Sequence, residues 1–297
     1  MTIKANNFVS AFFKLAKRIN QPHLFKSEDI RINNLSDTFE LLNVSIECEC
    51  NNINRVSSDV CMFSDRYYLM ENLWYAFGDE NANDIAKYAG LWRKMMNKNG
   101  EVRSNYGYTI REYYRFNQLQ SVITLLKKEP ESRRAVIYLN NTVVPYKTKE
   151  VAADIPCTNT LQFFVRNHKL HLMVNMRSND MIFGIRYDVP FFMMLQQIVA
   201  HELGIPTGKY YHTANSLHLY KKHLPKLQSL CDKDNYDKVY TTPNLVSLWT
   251  NIDTELIYHF INGDELIDKN ISDLFLEILD AHSKKYLEST EVVFNDI

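Results

Sequence analysis

Residues 39–50 alternate in character: Leu42, Val44, Ile46 and Cys48 are separated by polar side chains, and this two-residue period predicts a strand with one buried face. Elsewhere the spacing is helical. Helices are predicted over 7–18, 65–77, 82–97 and 111–128, the second with Ser64 or Asp65 to start it and Gly78 where a C-terminal cap belongs, the last stopping before Pro130. A short buried strand is predicted at 135–139, followed after a polar loop by a hairpin of 160–166 and 169–177 about Asn167-His168. Cys157 lies just before its first strand. Asp188 is placed to cap a helix over 189–203 that Gly204 and Pro206 end, and 209–212 reads as extended. Beyond His223 the sequence is helical and polar by turns, with no recognisable chemistry.

Strands and helices thus mix along the chain, an α/β pattern. No repeat or Pro/Gly/Ser linker divides the 297 residues, so one domain, 1–297, is expected, and 45% hydrophobic residues suffice for a large core. A net charge of −1 argues against nucleic-acid binding, which needs a basic surface to displace counterions. The longest strongly apolar stretch, Phe191 to Leu195, is too short for a membrane span, and a soluble, cytoplasmic protein is expected. Five cysteines (Cys48, Cys50, Cys61, Cys157 and Cys231) form no CxxC pair, which reads as reduced thiols and no metal site.

A free Cys is most often a small core residue, and Cys48 and Cys50, two apart on one side of a strand, fit packing. Cys157 has different company. Pro156-Cys157-Thr158-Asn159-Thr160 precedes Gln162, Arg177-Ser178-Asn179-Asp180, Gly184, Asp188 and Ser216 to Tyr220, a density of polar groups at strand ends that suggests a lined pocket. Taken singly, Glu71 reads as a solvated helix carboxylate, Arg133 and Arg134 as a surface pair, His218 as a core histidine and Asp188 as a cap.

Together these residues resemble the thymidylate synthase family. The likeness rests on Pro156-Cys157, Gln162-Phe163, Arg177-Ser178 with Asp180, Gly184, His218 with Tyr220, Glu71-Asn72-Leu73-Trp74, Tyr106-Gly107 and Ser132-Arg133-Arg134, and covers roughly 65–223. Residues 224–297 are then a divergent helical extension. The resemblance implies a mixed twisted sheet flanked by helices, a pyrimidine nucleoside monophosphate as substrate and 5,10-methylenetetrahydrofolate as cosubstrate. It implies that Cys157 adds to C6 of the base, that Glu71 relays protons, and that Asp180 assists. Arg177, Ser178, Arg133, Arg134 and Gln162 would hold the nucleotide, with His218 and Tyr220 at the sugar and Asn105 and Tyr106 nearby, and Trp74, Asp180 and Gly184 would meet the folate. It further implies a homodimer formed through sheet packing, in which Arg133 and Arg134 complete the partner's site.

Two departures point to the deoxycytidylate hydroxymethylase branch of the family. Asp188 stands where thymidylate synthases have an Asn that reads uracil; a carboxyl instead offers an acceptor to the N4 amine of cytosine and a proton to share with N3. Thr158 and Ser216 stand where a His and an Asp are usual. In this branch water captures the methylene at C5, and tetrahydrofolate leaves without being oxidised. Whether dCMP or CMP is used stays open, and a thymidylate synthase acting on dUMP and a silent nucleotide-binding homologue are the competing readings. The family's N-terminal phosphate loop has no match before residue 60, so its ligand is either missing or supplied by another arginine such as Arg55.

Overall fold

A computed structural model of the chain describes residues 1–19, 25–29, 36–56, 63–140, 154–232 and 240–241. The described residues fall into two compact units, one drawn from Met1–Phe63, Ser121–Ile137 and Cys157–Thr241, the other from Ser64–Gln120 and Tyr138–Pro156. Most of the 224–297 extension lies outside the described residues.

The alternating segments pair into one eight-stranded sheet. Its strands are β1 (Thr2–Lys4), β2 (Phe25–Asp29), β3 (Ser36–Glu49), β5 (Val136–Tyr138), β6 (Thr158–Arg166), β7 (Lys169–Met176), β8 (Asn179–Asp180) and β9 (Thr207–Tyr220); a separate pair joins β4 (Asn54–Arg55) to β10 (Tyr240–Thr241). The spatial order is β1-β3-β9-β7-β6-β5, with β2 beside β3 and β8 beside β9. β3 and β9 run antiparallel from Thr38↔Tyr220 to Glu49↔Lys209, while β7 and β8 run parallel to β9, so the sheet is mixed, as expected. In the β6–β7 hairpin both turn residues, Asn167 and His168, adopt positive φ (52° and 56°), the geometry a tight two-residue turn requires.

Two helices flank the sheet. In α1 (Phe8–Ile19), Phe8, Phe12, Leu15, Ala16 and Ile19 recur at helical spacing and are buried, each large side chain contributing roughly 1.5–3 kcal/mol by leaving water. α6 (Gly184–Leu203) is buried on nearly every face and packs on β7 and β9. It begins five residues earlier than the sequence suggests, so Asp188 is not its cap. The N-cap position is Phe183, and the turn that leads into the helix is held by Asp180, whose Oδ1 accepts from the backbone N–H groups of Ile182 (2.8 Å), Phe183 (2.5 Å) and Gly184 (3.4 Å). Gly204 ends the helix in the left-handed conformation (φ 65°), as expected.

β9 is fourteen residues long instead of the four read from sequence, and its alternation reverses midway. Buried positions are even up to His212 and Ala214, then odd at Leu217 and Leu219. The switch falls where neighbouring β3 carries Asn43 at φ 52°, a left-handed residue that breaks the strand's period.

In the second unit, α2 (Asp65–Phe77) has the expected bounds: Ser64 accepts from Tyr67 N and Gly78 closes the helix at φ 74°. The two neighbouring helix predictions shorten. Ala89 is extended, leaving a single 3₁₀ turn (Ile85–Lys87) and α3 (Gly90–Met95), and Arg115 at φ 63° separates a π-helical turn at Thr109–Tyr113 from α5 (Gln118–Lys128).

Candidate active site

Cys157 sits where β6 begins, next to a register irregularity between Thr158 and Thr160. Its carbonyl accepts from Arg177 N (2.8 Å), and Arg177 O in turn accepts from Ser216 N (3.2 Å), so the ends of three adjacent strands meet here. The Arg177 guanidinium donates to Cys157 Sγ at 3.6 Å, and both residues are partly exposed. A cation in contact with sulfur favours the thiolate, the nucleophilic form. Cys48 and Cys50 are buried and make the contrast: burial, with Glu49 and Glu47 adding, pushes the Cys48 thiol up to about 12, and Cys50 is raised further. They remain thiols and pack, as expected. Cys61 lies outside the described residues.

Beyond Arg177 the chain turns into β8, and Ser178 Oγ meets His218 Nδ1 at 3.1 Å. His218 Nε2 is 3.9 Å from Asp180 Oδ2, the oxygen not used in holding the turn before α6. The His218 and Tyr220 rings stand nearly perpendicular with centroids 5.3 Å apart. The reversal of β9 at Asn215 is what leaves these two side chains partly exposed.

Asp188 lies in the second turn of α6, partly exposed as a residue but with its carboxyl desolvated. Burial raises its pKa from the ordinary 3.8 to about 7; a hydrogen bond from Asn179 Nδ2 (2.7 Å) pulls it back and neighbouring Asp180 pushes it further up. Near neutral pH it can therefore offer both an acceptor and a proton, which an amide at this position would offer in a different pattern.

In the second unit Glu71 is buried, not solvated. Its Oε1 accepts from Tyr67 in a short hydrogen bond and from Tyr75 at 3.4 Å, and Tyr67 Oη accepts from Trp92 Nε1 at 3.1 Å. Trp74 donates Nε1 to Asn81 O (2.8 Å) and packs edge-on to Trp92. Asn105 caps the short helix α4 (Tyr106–Tyr108) by accepting from Tyr108 N (3.0 Å), and Tyr106 packs against Tyr75.

Arg133 and Arg134 occupy an exposed loop after α5, Arg134 paired with Glu129, and Gln162 Nε2 donates to Arg133 O at 2.9 Å. Gln162 thus holds the loop's backbone. Arg55 is buried on β4. Sequence reading gave no role to Asn179, His212 or Tyr210, which surround Asp188, nor to Tyr67 and Trp92, which surround Glu71. Of these, only Tyr67 carried a local signal, lying one turn before Glu71.

Among the described residues no helix is long and apolar enough to cross a membrane, and no group of three or more His, Cys, Asp or Glu is placed to hold a metal. Comparison with known proteins gives the class of the molecule: it is a one-carbon transferase of α/β fold. The family model that matches residues 62–263 is thymidylate synthase, and the chain belongs to that family, as the motifs suggested. It is 31% identical over 169 residues to the deoxycytidylate 5-hydroxymethyltransferase of Enterobacteria phage T6, covering 54% of this chain and 69% of that protein. To the protein of the same name from phage T4 it is 30% identical over 169 residues, with the same shares covered. Among solved structures it is similar to thermostable thymidylate synthase A from Bacillus subtilis, with a TM-score of 0.64 and 19% identity over 84% of this chain and 93% of that one, a likeness of fold.

Proposed function

We propose that the protein transfers a one-carbon unit from 5,10-methylenetetrahydrofolate to C5 of a cytidine nucleoside monophosphate and yields the 5-hydroxymethyl nucleotide. The observation that carries this reading is Asp188, a desolvated carboxyl that titrates near neutrality at the family's base-reading position. Held protonated, it accepts from the N4 amine of cytosine and donates to N3; uracil presents a carbonyl and an N–H in those places. The relatives named for deoxycytidylate agree with it.

In this reading Cys157 thiolate, favoured by Arg177, adds to C6, and the electron pair moves to make C5 nucleophilic. C5 takes the methylene, loss of the C5 proton supplies the electron pair that expels tetrahydrofolate and forms the exocyclic methylene, water adds to that methylene, and the thiolate departs. Glu71, gripped by two phenols on one oxygen, is the group that holds and moves protons, with Asp180 assisting. Arg177, Ser178, Arg133, Arg134 and Gln162 belong to nucleotide binding, His218 and Tyr220 to the sugar, with Asn105 and Tyr106 supporting, and Trp74, Asp180 and Gly184 to the folate side. A homodimer fits the sheet face that α1 and α6 leave uncovered, where Met173 is 43% exposed, and it would carry Arg133 and Arg134 into the partner's site.

The test is incubation of purified protein with methylenetetrahydrofolate and each of dCMP, CMP, dUMP and UMP, with products read by mass. Gain of one CH₂O on a cytidine nucleotide without dihydrofolate is expected and names the sugar. Gain of CH₂ on dUMP with dihydrofolate would overturn the reading, as would unchanged base preference in Asp188→Asn.

A further inference from the structure

Behind Asp188 stands a row of polar side chains that the chemistry above does not use. Asn179 is buried at the start of β8, paired with Leu217 of β9. Its Nδ2 donates to Asp188 Oδ2 at 2.7 Å, and its Oδ1 accepts from His212 Nε2 at 3.1 Å. His212 Nδ1 lies in turn 2.9 Å from Tyr210 Oη. Gly184 makes room for the first link: a Cβ there would meet Asn179 Nδ2 at 2.9 Å and Asp188 Oδ2 at 3.4 Å.

The three members behind Asp188 each have a single protonation state near neutrality. Burial lowers the His212 pKa to about 3, so the ring is neutral, and burial raises the Tyr210 phenol well above its ordinary value, with Cys48, Asp188 and Cys50 adding. Asp180 on β8 is the further charged group facing Asp188. A neutral imidazole has one N–H and one lone pair; Asn179 Oδ1 can only accept, so it fixes the proton on Nε2 and leaves the Nδ1 lone pair to the Tyr210 hydroxyl.

We propose that Asn179 and His212 are positioning residues for base selection: the one-way row Tyr210→His212→Asn179→Asp188 holds Oδ2 as an acceptor and leaves the Asp188 proton on Oδ1, facing the pyrimidine edge. This rests on the reading of Asp188 as the base-reading group. Without the row the carboxyl can rotate and present either oxygen, or its anion, to either base, so discrimination falls while the fold remains.

Two measurements test it, the first needing no substrate. ¹⁵N NMR of labelled protein should show His212 as the neutral Nε2–H tautomer; an Nδ1–H tautomer or an imidazolium at neutral pH overturns the row's direction. The second compares His212→Leu with His212→Gln, whose amide can both accept from Tyr210 and donate to Asn179. His212→Leu should lower the ratio of kcat/KM for cytidylate over uridylate about tenfold, the scale of one buried hydrogen bond, and His212→Gln should restore most of it. An unchanged ratio in His212→Leu, or equal loss in both variants, overturns the proposal while leaving the transferase reading intact. Failure of the wild-type protein to act on any pyrimidine nucleotide defeats that reading instead, and the tautomer then decides on the row alone.

Discussion

Asp188→Asn should stabilise the protein, and increasingly so as pH rises. Burial, offset by Asn179 and reinforced by Asp180, lifts this carboxyl from 3.8 to about 7. Below the lower value the native and unfolded chains both hold the proton. Between the two values the unfolded chain releases it and the native chain keeps it, so native stability falls as pH rises, and the loss is complete above the native pKa. Three pKa units correspond to about 4 kcal/mol in full, and the part falling between about pH 5 and about pH 8 is roughly 1 to 3 kcal/mol once the side chain's partial exposure is allowed for. An Asn carries no such penalty, and its amide oxygen can still accept from Asn179. The assay is urea unfolding of both proteins at fixed concentration at the two pH values; all other titrating groups are common to both, so the change in their stability difference isolates residue 188. A difference that does not grow with pH refutes the desolvated carboxyl.

Cys157→Ser should lower turnover by about 10³-fold or more with the circular dichroism spectrum unchanged, because a hydroxyl supplies almost no anion at neutral pH; near-normal turnover would remove the covalent step. Gly107→Ala places a Cβ 2.0 Å from Tyr75 O and 2.2 Å from Tyr75 Cα, so α2 and α4 must part, and a loss of roughly 3 kcal/mol or more should appear as a lower urea midpoint. Asp180→Ala removes the acceptor of three backbone N–H groups in the turn that leads into α6 and should cost about 1–2 kcal/mol by the same assay; an unshifted midpoint would deny that it holds the turn.

What could be read from sequence was local. The bounds of α2 were legible because Ser64 and Gly78 satisfy its ends within the helix's own stretch, and the hairpin because Asn167-His168 accepts positive φ. The start of α6 was misread because Pro190 favours a first turn and Asp188 stands just before it. The residue that holds the turn before the helix, Asp180, is fixed by the pairing of β8 with β9, a tertiary contact invisible to local pattern. Motif order singles out Cys157, Arg177, Asp180, Asp188 and His218, yet not Asn179 and His212, whose contact spans 33 residues of chain and whose polarity resembles an ordinary loop and strand.

β9 shows why such support escapes a sequence reading and how the fold makes it. His212 and His218 are both even-numbered, and a strand of strict two-residue period would present them on one face, both buried or both outward. The reversal at Asn215, beside left-handed Asn43 on β3, sends His212 inward, where it is 1% exposed and reaches Asn179, and His218 outward to Ser178 and the edge of Asp180. One strand therefore supplies a buried, uncharged ring to one side of α6's start and a partly exposed one to the other. The two environments differ because of a single backbone irregularity: the inward histidine reaches Asn179, the partner of Asp188, while Asp180 faces the outward one.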